Sequence, residues 1–524
     1  MRHFLKIIER AGNRLPDPAT LFAIGTLLVI LTSHAAIVFD WQVAERRPVE
    51  TANGAVEWRS TGSVHEATSL ATSDGIFWVL KNVKDNFILF PPLGIVLVGM
   101  LGIGVAERTG FIPSLLRLTL SRLPNYWLAP ATILAGILST IASDAGYIVL
   151  PPLAAIVYIS FGRPPLAGIA AAFAGVSAGF NANLLITTLD PMLAGLSQEG
   201  ARVLDAAYVV SPTANWYFMI VSTFFLTLAG WWTSEKLVEP TLRTAADGTP
   251  LHDPSQHEQP DPVTASEARG VYVALGAAGV FLVLLLAAVF IPGAPLHGTV
   301  GETLATPAED PGFPRWVVVV VPLLFIGLFV PGLAYGIHQK VIRNDKDVAA
   351  IFTQSLASIA PIIVLAFFAG QFIGCFNESG LGRMLAEAGG QALGQAALPT
   401  WGLLVVFVFL TAGFNLLIGS MSAKYAVFAP IFVPMFMMVG ISPELTQAAY
   451  RIGDSTTNII TPLNPYLIIV LTFIQRYQAK AGIGTLVSLM LPYTIVFTIV
   501  WIIMLVVWVN LGIPLGPHGP IAYP

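Results

Sequence analysis

Apolar residues in this chain fall in long continuous blocks rather than in the short alternating or 3.6-residue patterns of soluble domains. Residues 19–39, 272–291, 316–331 with their flanks, and 486–511 each approach the ~20 residues needed to cross the hydrocarbon core of a bilayer. The pattern predicts nine spans, at about 19–39, 76–106 (with an amphipathic start), 164–195 (interrupted), 212–232, 270–291, 315–336, 348–374, 444–474 (interrupted) and 485–511. Two further blocks, 125–161 and 399–440, are too long for one span. Polar clusters split them, Ser143-Asp144-Ala145-Gly146 in the first and Gly419-Ser420-Met421-Ser422 in the second. Two half-length helices around a polar tip predict a re-entrant hairpin, because non-helical backbone at membrane depth survives only where protein or water shields it. The expected fold is an all-α polytopic membrane protein with nine transmembrane helices and two re-entrant helical hairpins. The first block is too long for the h-region of a cleaved signal peptide and reads as a retained span.

The features come in two sets. Ile103-Gly-Val-Ala-Glu-Arg-Thr-Gly110 reappears as Ile373-Gly-Cys-Phe-Asn-Glu-Ser-Gly380, at an offset of 270. Ser143, Val149, Pro151 and Pro164 match Ser422, Phe428, Pro430 and Pro443, and Ile186-Thr-Thr-Leu-Asp-Pro191 matches Ile460-Thr-Pro-Leu-Asn-Pro465. Between matching spans the chain crosses an odd number of times, so the repeats are expected to be inverted. The organisation predicted is a first repeat over 1–232 (spans one to four and hairpin one), a polar cytoplasmic linker over 233–269, a linking span over 270–291, and a second repeat over 292–524 (spans six to nine and hairpin two). Interrupted hydrophobic segments in corresponding positions of two halves are the best sequence pointer to a transporter binding site.

Composition agrees with the pattern. Of 524 residues 55% are hydrophobic and 11% charged, against about 25% charged in soluble domains. Lys and Arg sort sixteen to eight between alternate connecting segments, with Lys424 and Arg451 left at membrane depth. By the positive-inside rule the N-terminus is cytoplasmic and the C-terminus external, in a bacterial inner membrane. No basic, aromatic-interleaved stretch suggests a nucleic-acid partner. The single Cys375 excludes an intrachain disulfide and reads as a buried, inert thiol. Catalysis has little support: there is no His-Glu-x-x-His pair, and Gly175-Val-Ser-Ala-Gly179 sits inside a predicted membrane helix, where small residues serve close packing.

The chemistry gathers at the breaks. Half-helix N-termini there favour anionic groups, and freed carbonyls favour a cation. Hairpin two and the second broken helix bring Asn415, Ser420, Ser422, Lys424, Tyr425, Arg451, Asp454, Ser455, Thr456, Thr457, Asn458, Thr461 and Asn464. The first repeat brings Ser143, Asp144, Asn181, Asn183, Thr187, Thr188 and Asp190. Each has a plainer reading. Arg451 and Asp454, three apart on one helix, make either a local neutralising pair or a site. Asp144 is a cap or a ligand, and Asp190 a pre-proline helix end or a ligand. Lys424 snorkels to the interface or serves the site, and Tyr425 belongs to an interfacial belt, the core or the site.

Asn13-Arg-Leu-Pro-Asp-Pro18, Ser422-Ala-Lys-Tyr-Ala-Val-Phe-Ala-Pro430 and Tyr450-Arg-Ile-Gly-Asp-Ser-Thr-Thr-Asn458 resemble the AbgT family of p-aminobenzoyl-glutamate transporters. The likeness runs from about residue 4 to residue 510. It implies a homodimer with a substrate path in each subunit and cation-coupled movement of p-aminobenzoyl-glutamate, with sulfonamide export in some members. It points to Asn415 and Asp454 as cation-site residues, with Asp190 facing them, and to Ser422, Pro443 and Arg451 on the substrate path. Thr457 and Asn458 join the expected cation set, with Na⁺ or H⁺ as coupling ion and no other cofactor. Asn181, Lys424 and Tyr425 join the expected substrate set. Tyr425 stands where the family is expected to carry Trp. Rival readings are a dicarboxylate carrier or a Na⁺/H⁺ antiporter of the same inverted-hairpin plan, an intramembrane enzyme, and an ion channel.

Overall fold

The computed structural model describes residues 16–50, 56–120, 124–142, 145–243, 264–300, 312–396 and 398–523. Asp17 caps the first helix, α1 (Pro18–Val38), by accepting the Ala19 N–H at 2.8 Å, and Pro18 supplies a preset φ at its first position. A β-hairpin follows, then α2 (Ser73–Ile88), α3 (Pro91–Arg108) and α4 (Phe111–Leu120). The arms of hairpin one are α5 (Leu128–Ser139) and α6 (Ala145–Ser160), and the tip residues Ser143 and Asp144 lie outside the described residues. The first broken helix is α7 (Pro165–Phe173), run on by a π-helical turn over Ala174–Ala178, and α8 (Leu189–Ala201). Then come α9 (Trp216–Thr233), α10 (Glu239–Arg243) and α11 (Ala265–Phe290).

The second half continues with α12 (Arg315–Val318), α13 (Val320–His338), α14 (Asp345–Ser358), α15 (Ala360–Glu378) and α16 (Leu381–Gln395). Hairpin two is α17 (Thr400–Asn415) and α18 (Met421–Met437). The second broken helix is α19 (Pro443–Thr456) and α20 (Pro465–Gln475), and α21 spans Ile483–Leu511. The order from α2 to α9 therefore recurs from α14 to α21. Gly110 and Gly380, one offset of 270 apart, both turn left-handed (φ 87° and 72°) to launch the amphipathic α4 and α16. Pro91 and Pro361, at the same offset, sit where α2 gives way to α3 and α14 to α15.

Among the described residues six helical stretches are long and apolar enough to cross a membrane: Pro18–Val38, Ser73–Arg108, Ala265–Phe290, Val320–His338, Ala360–Glu378 and Ile483–Leu511. The spans expected at 76–106 and 348–374 are each divided, at Leu89–Phe90 and at Ile359, because Pro91 and Pro361 cannot continue the hydrogen-bond ladder of the preceding helix. Helices of hairpin and half-span length, such as Thr400–Asn415 and Pro465–Gln475, make up most of the remaining apolar set.

One expectation fails in detail: the chain is not wholly helical. β1 (Gln42–Glu50) and β2 (Val56–Glu66) form an antiparallel pair with Gln42 opposite Glu66 and Glu50 opposite Val56. Their alternation of Val, Trp and Thr with charged residues, around Asn53-Gly54, carries the hairpin signal.

Connections gather at two ends of the helices. At one, Arg163 after hairpin one pairs with Glu239 of α10. At the other, residues 515–523 lie over the starts of α9 and α19: the Ser442 hydroxyl donates to Pro520 O at 2.6 Å, and the Phe218 N–H to Leu515 O at 3.0 Å. Between the ends, small residues let backbones touch. A Cβ on Gly175 would stand 2.4 Å from Ile133 O in hairpin one. Main chain cannot yield there as a side chain would, so Gly175→Val is expected to lower stability by about 1–3 kcal/mol, read as a fall in thermal midpoint in detergent. An unchanged midpoint would place this contact wrongly.

Candidate functional site

The second broken helix starts cleanly because Ser442 accepts the Leu445 N–H at 3.0 Å and Pro443 occupies the first turn. It unwinds after Thr456, where Thr457, Asn458, Thr461 and Asn464 compete for backbone groups, and restarts when Asn464 accepts the Tyr466 N–H at 3.0 Å. Every residue of α19 is buried, although its sequence carries Glu444, Gln447, Arg451 and Asp454. Buried charge at such a position demands a partner.

The partners come from other elements. Arg451 Nη2 lies 2.7 Å from Asp190 Oδ1, in the first turn of α8. The other oxygen of Asp190 accepts the Thr187 N–H at 2.6 Å and the Thr187 hydroxyl at 2.9 Å. Asp190 thus closes its own helix start and holds an arginine from the opposite half. Asp454 pairs with Lys424 of hairpin two, Oδ1 to Nζ 2.7 Å, and both are completely buried. The local Arg451–Asp454 pair is therefore not made, and Lys424 does not snorkel.

Amides join these pairs. The Asn181 amide donates to Ser455 Oγ at 2.6 Å and reaches Asp454 Oδ2 and Arg451 O, each at 3.3 Å. Asn415 turns its nitrogen to Asp454 O (2.5 Å), Thr457 Oγ1 (2.9 Å) and Asn458 Oδ1 (2.9 Å), and its oxygen accepts from Lys424. Asn464 donates to Ser177 Oγ at 3.2 Å, inside the π-helical turn of the first broken helix. The Arg451 Nε and the Asn181 Oδ1 are buried and find no hydrogen-bond partner among the described residues. Asp190 Oδ1 accepts no hydrogen bond either and meets Arg451 as an ion pair alone, so one free donor and one free acceptor stand beside that contact.

Asn181, Asp190, Asn415, Lys424, Arg451, Asp454, Thr457 and Asn458 thus form one connected polar centre. Tyr425 adjoins it without opening to it. Its fully buried ring lies 4.2 Å, centroid to centroid, from Tyr450, and its hydroxyl meets Ser197 Oγ at 2.6 Å. Ser422 stands apart, on a cavity of about 20 Å³ between hairpin two and Phe90, Met192, Ile362 and Leu365. Pro443 is eight residues before Arg451, roughly 12 Å along the helix at ~1.5 Å per residue.

The sequence reading passes over Ser197 and Gln447, and takes Ser177 only as a small packing residue of the Gly175–Gly179 stretch. Ser197 donates to Gln447 Oε1 at 2.9 Å, which ties α8 to α19. The available signal was helical spacing: Gln447, Arg451 and Asp454 or Ser455 recur on one face of α19. Removing one partner of a buried ion pair strands the other, so Arg451→Met and Asp190→Asn should each cost about 3–5 kcal/mol. The double variant should lose less than the sum, a coupling measured by a double-mutant cycle on thermal unfolding. Strictly additive losses would contradict the pair.

With this geometry in view, comparison with known proteins is specific. The AbgT transporter family model matches residues 3–523. The p-aminobenzoyl-glutamate transport protein of Escherichia coli (strain K12) is 34% identical over 510 residues, covering 97% of this chain and 95% of that protein. Two solved structures are each 39% identical. The YdaH transporter of Alcanivorax borkumensis, described as having an unusual topology, covers 96% of this chain and aligns over 100% of its own, with a TM-score of 0.83. MtrF of Neisseria gonorrhoeae, described as illuminating a class of antimetabolite efflux pumps, covers 99% of this chain and aligns over 100% of its own, with a TM-score of 0.87. The protein belongs to the AbgT transporter family.

Proposed function

We propose that the protein is a cation-coupled secondary transporter of p-aminobenzoyl-glutamate and related aromatic amides, sulfonamide antimetabolites among them. In this reading it lies in the bacterial inner membrane with its N-terminus cytoplasmic, as a homodimer. Each subunit has nine spans and two re-entrant hairpins in inverted repeats. The observation that carries it is the joining of the two broken helices by the Arg451–Asp190 pair at 2.7 Å, with Lys424–Asp454 beside it. Ionised side chains at paired helix breaks are the arrangement expected of a midplane transport site.

The chemistry supports the substrate class. A p-aminobenzoyl-glutamate molecule offers two carboxylates, an amide and an aniline ring. The free Nε–H of Arg451 suits a carboxylate, and the free Asn181 oxygen suits an N–H. The substrate would enter when the unit of hairpins and broken helices (α5–α8, α17–α20) moves against a scaffold of α1–α3, α11 and α13–α15, opening the centre to one side and then the other. One observation favours a dicarboxylate as rival cargo: the Tyr425 ring is wholly packed, so no aromatic face opens on the centre in this conformation.

Counterflow in proteoliposomes tests the reading, with imposed Na⁺ and pH gradients of either sign and p-aminobenzoyl-glutamate set against succinate. Gradient-driven exchange of p-aminobenzoyl-glutamate is expected, and uptake of succinate alone would replace the proposal by its rival. Asp454→Ala should abolish coupled flux while the protein still elutes as a folded dimer; undiminished flux would remove Asp454 from the coupling site. Arg451→Ala should depress p-aminobenzoyl-glutamate transport more than sulfonamide export, since a sulfonamide lacks the glutamate carboxylates. Equal loss of both would argue against Arg451 as their counter-ion.

A further inference from the structure

Away from the polar centre, β1, β2 and α16 bring Glu45, His65 and Glu387 together, with one ligand atom from each lying within 4.8 Å of the others. Side chains alternate along a strand, so Glu45 shares a face with Val43, whose partner across the pair is His65. Pairing then slips from Ala44 opposite Val64 to Arg46 opposite Ser60. This bulge, with Gly62 left-handed at φ 84°, takes Glu45 out of the regular ladder and re-aims its side chain. On α16, Gln391 donates to Ala44 O at 3.1 Å and so docks β1 beside Glu45. Glu387 lies one turn earlier on the same face, is only 3% exposed, and sets its Oε1 3.9 Å from His65 Nε2. Burial, helped by the Arg383 guanidinium, holds the His65 imidazole below its usual range, so the ring keeps a lone pair to offer.

We propose that Glu45, His65 and Glu387 bind a divalent cation of the Zn²⁺ class, which fastens the β-hairpin to α16. One imidazole nitrogen with two carboxylate oxygens is a donor set that Zn²⁺ takes, with water in the fourth tetrahedral position. Zn²⁺ holds such ligands at about 2.0–2.2 Å, which puts them roughly 3.3 Å apart, so the cluster tightens by about an ångström on binding. Glu45 and His65, both half-buried, turn to meet Glu387, which the helix holds in place. α16 in turn packs on hairpin two, where a Cβ on Gly390 would stand 2.5 Å from Met438 Cβ at the end of α18. The ion therefore closes a run of contacts from the β-hairpin through α16 to hairpin two. The proposal goes beyond the transport reading and uses none of its site residues.

Zn²⁺ binding to the tag-free, full-length protein in detergent tests this after chelator treatment, by calorimetry and by thermal midpoint in ZnCl₂ against MgCl₂. Wild type should take up about one Zn²⁺ per chain and melt higher with it, because a ligand bound only to the folded state raises its stability. His65→Ala, Glu45→Gln and Glu387→Gln should each weaken binding by at least about tenfold, the cost of disturbing even an outer partner of a metal ligand. His297→Ala, at an exposed histidine outside the cluster, should leave it unchanged. Should the buried Glu387→Gln not fold, the half-buried His65 and Glu45 variants carry the test. No saturable Zn²⁺ binding by folded wild type, undiminished affinity in a folded variant of the three, or an equal response to MgCl₂ overturns the proposal. Transport plays no part in these readouts, so failure of the transport reading would leave them standing.

Discussion

The central constraint is the cost of ionised groups where no water solvates them. Arg451, Lys424, Asp190 and Asp454 are each no more than 2% exposed. Charge in such surroundings persists only when paired and hydrogen-bonded. Two cations and two anions give local neutrality, and the amides of Asn181 and Asn415 occupy much of the remaining hydrogen-bonding capacity. Because the partners sit on different elements, neutrality can be satisfied only when both broken helices and hairpin two are assembled. The ion pairs thereby make the fold of one half depend on that of the other.

Such dependence explains why the breaks lie where they do. A continuous α7–α8 helix would keep the Thr187 backbone N–H in its own ladder and leave Asp190 nothing to cap. Unwinding frees the Thr187 N–H for Asp190 and lets the Asn181 side chain reach Ser455 in the second half, and the second break lets the Asn458 and Asn464 side chains meet Asn415 and Ser177. Close backbone approach is the companion requirement. Gly175 against Ile133 brings the first broken helix onto hairpin one, and Gly453, whose added Cβ would stand 2.4 Å from Val408 O, brings α19 onto hairpin two. A bulkier residue at either contact would hold the elements apart and strand the charges.

Much of this was legible in the sequence, because length, polarity and Pro or Ser placement are local properties. The polar tip at Ser420–Ser422 marks hairpin two, and the Asp-Ser-Thr-Thr-Asn run marks the second break. Partner choice was not legible. Spacing suggests Arg451 with Asp454, yet each turns to another element, since three-residue separation says which side chains share a face and not what that face meets. Tyr425 shows the same limit: it is expected in the substrate set, but packing against Tyr450 closes its ring off. The β1–β2 pair was missed for a different reason, as its alternation is brief and lies among segments dominated by helical blocks.

The stretch 515–523 carries a mechanical implication. It bridges Ile441 through Ala522, takes the Ser442 hydroxyl on Pro520, and receives the Thr213 hydroxyl on Pro517. These contacts clasp the segment leading into α19 to the segment leading into α9. Any rocking of the second broken helix would then drag the top of α9 along as one lever, whose Met219 already rests against Arg451 at 3.4 Å. If hairpins and broken helices swing as the proposed cycle requires, α9 would be coupled to them through this stretch.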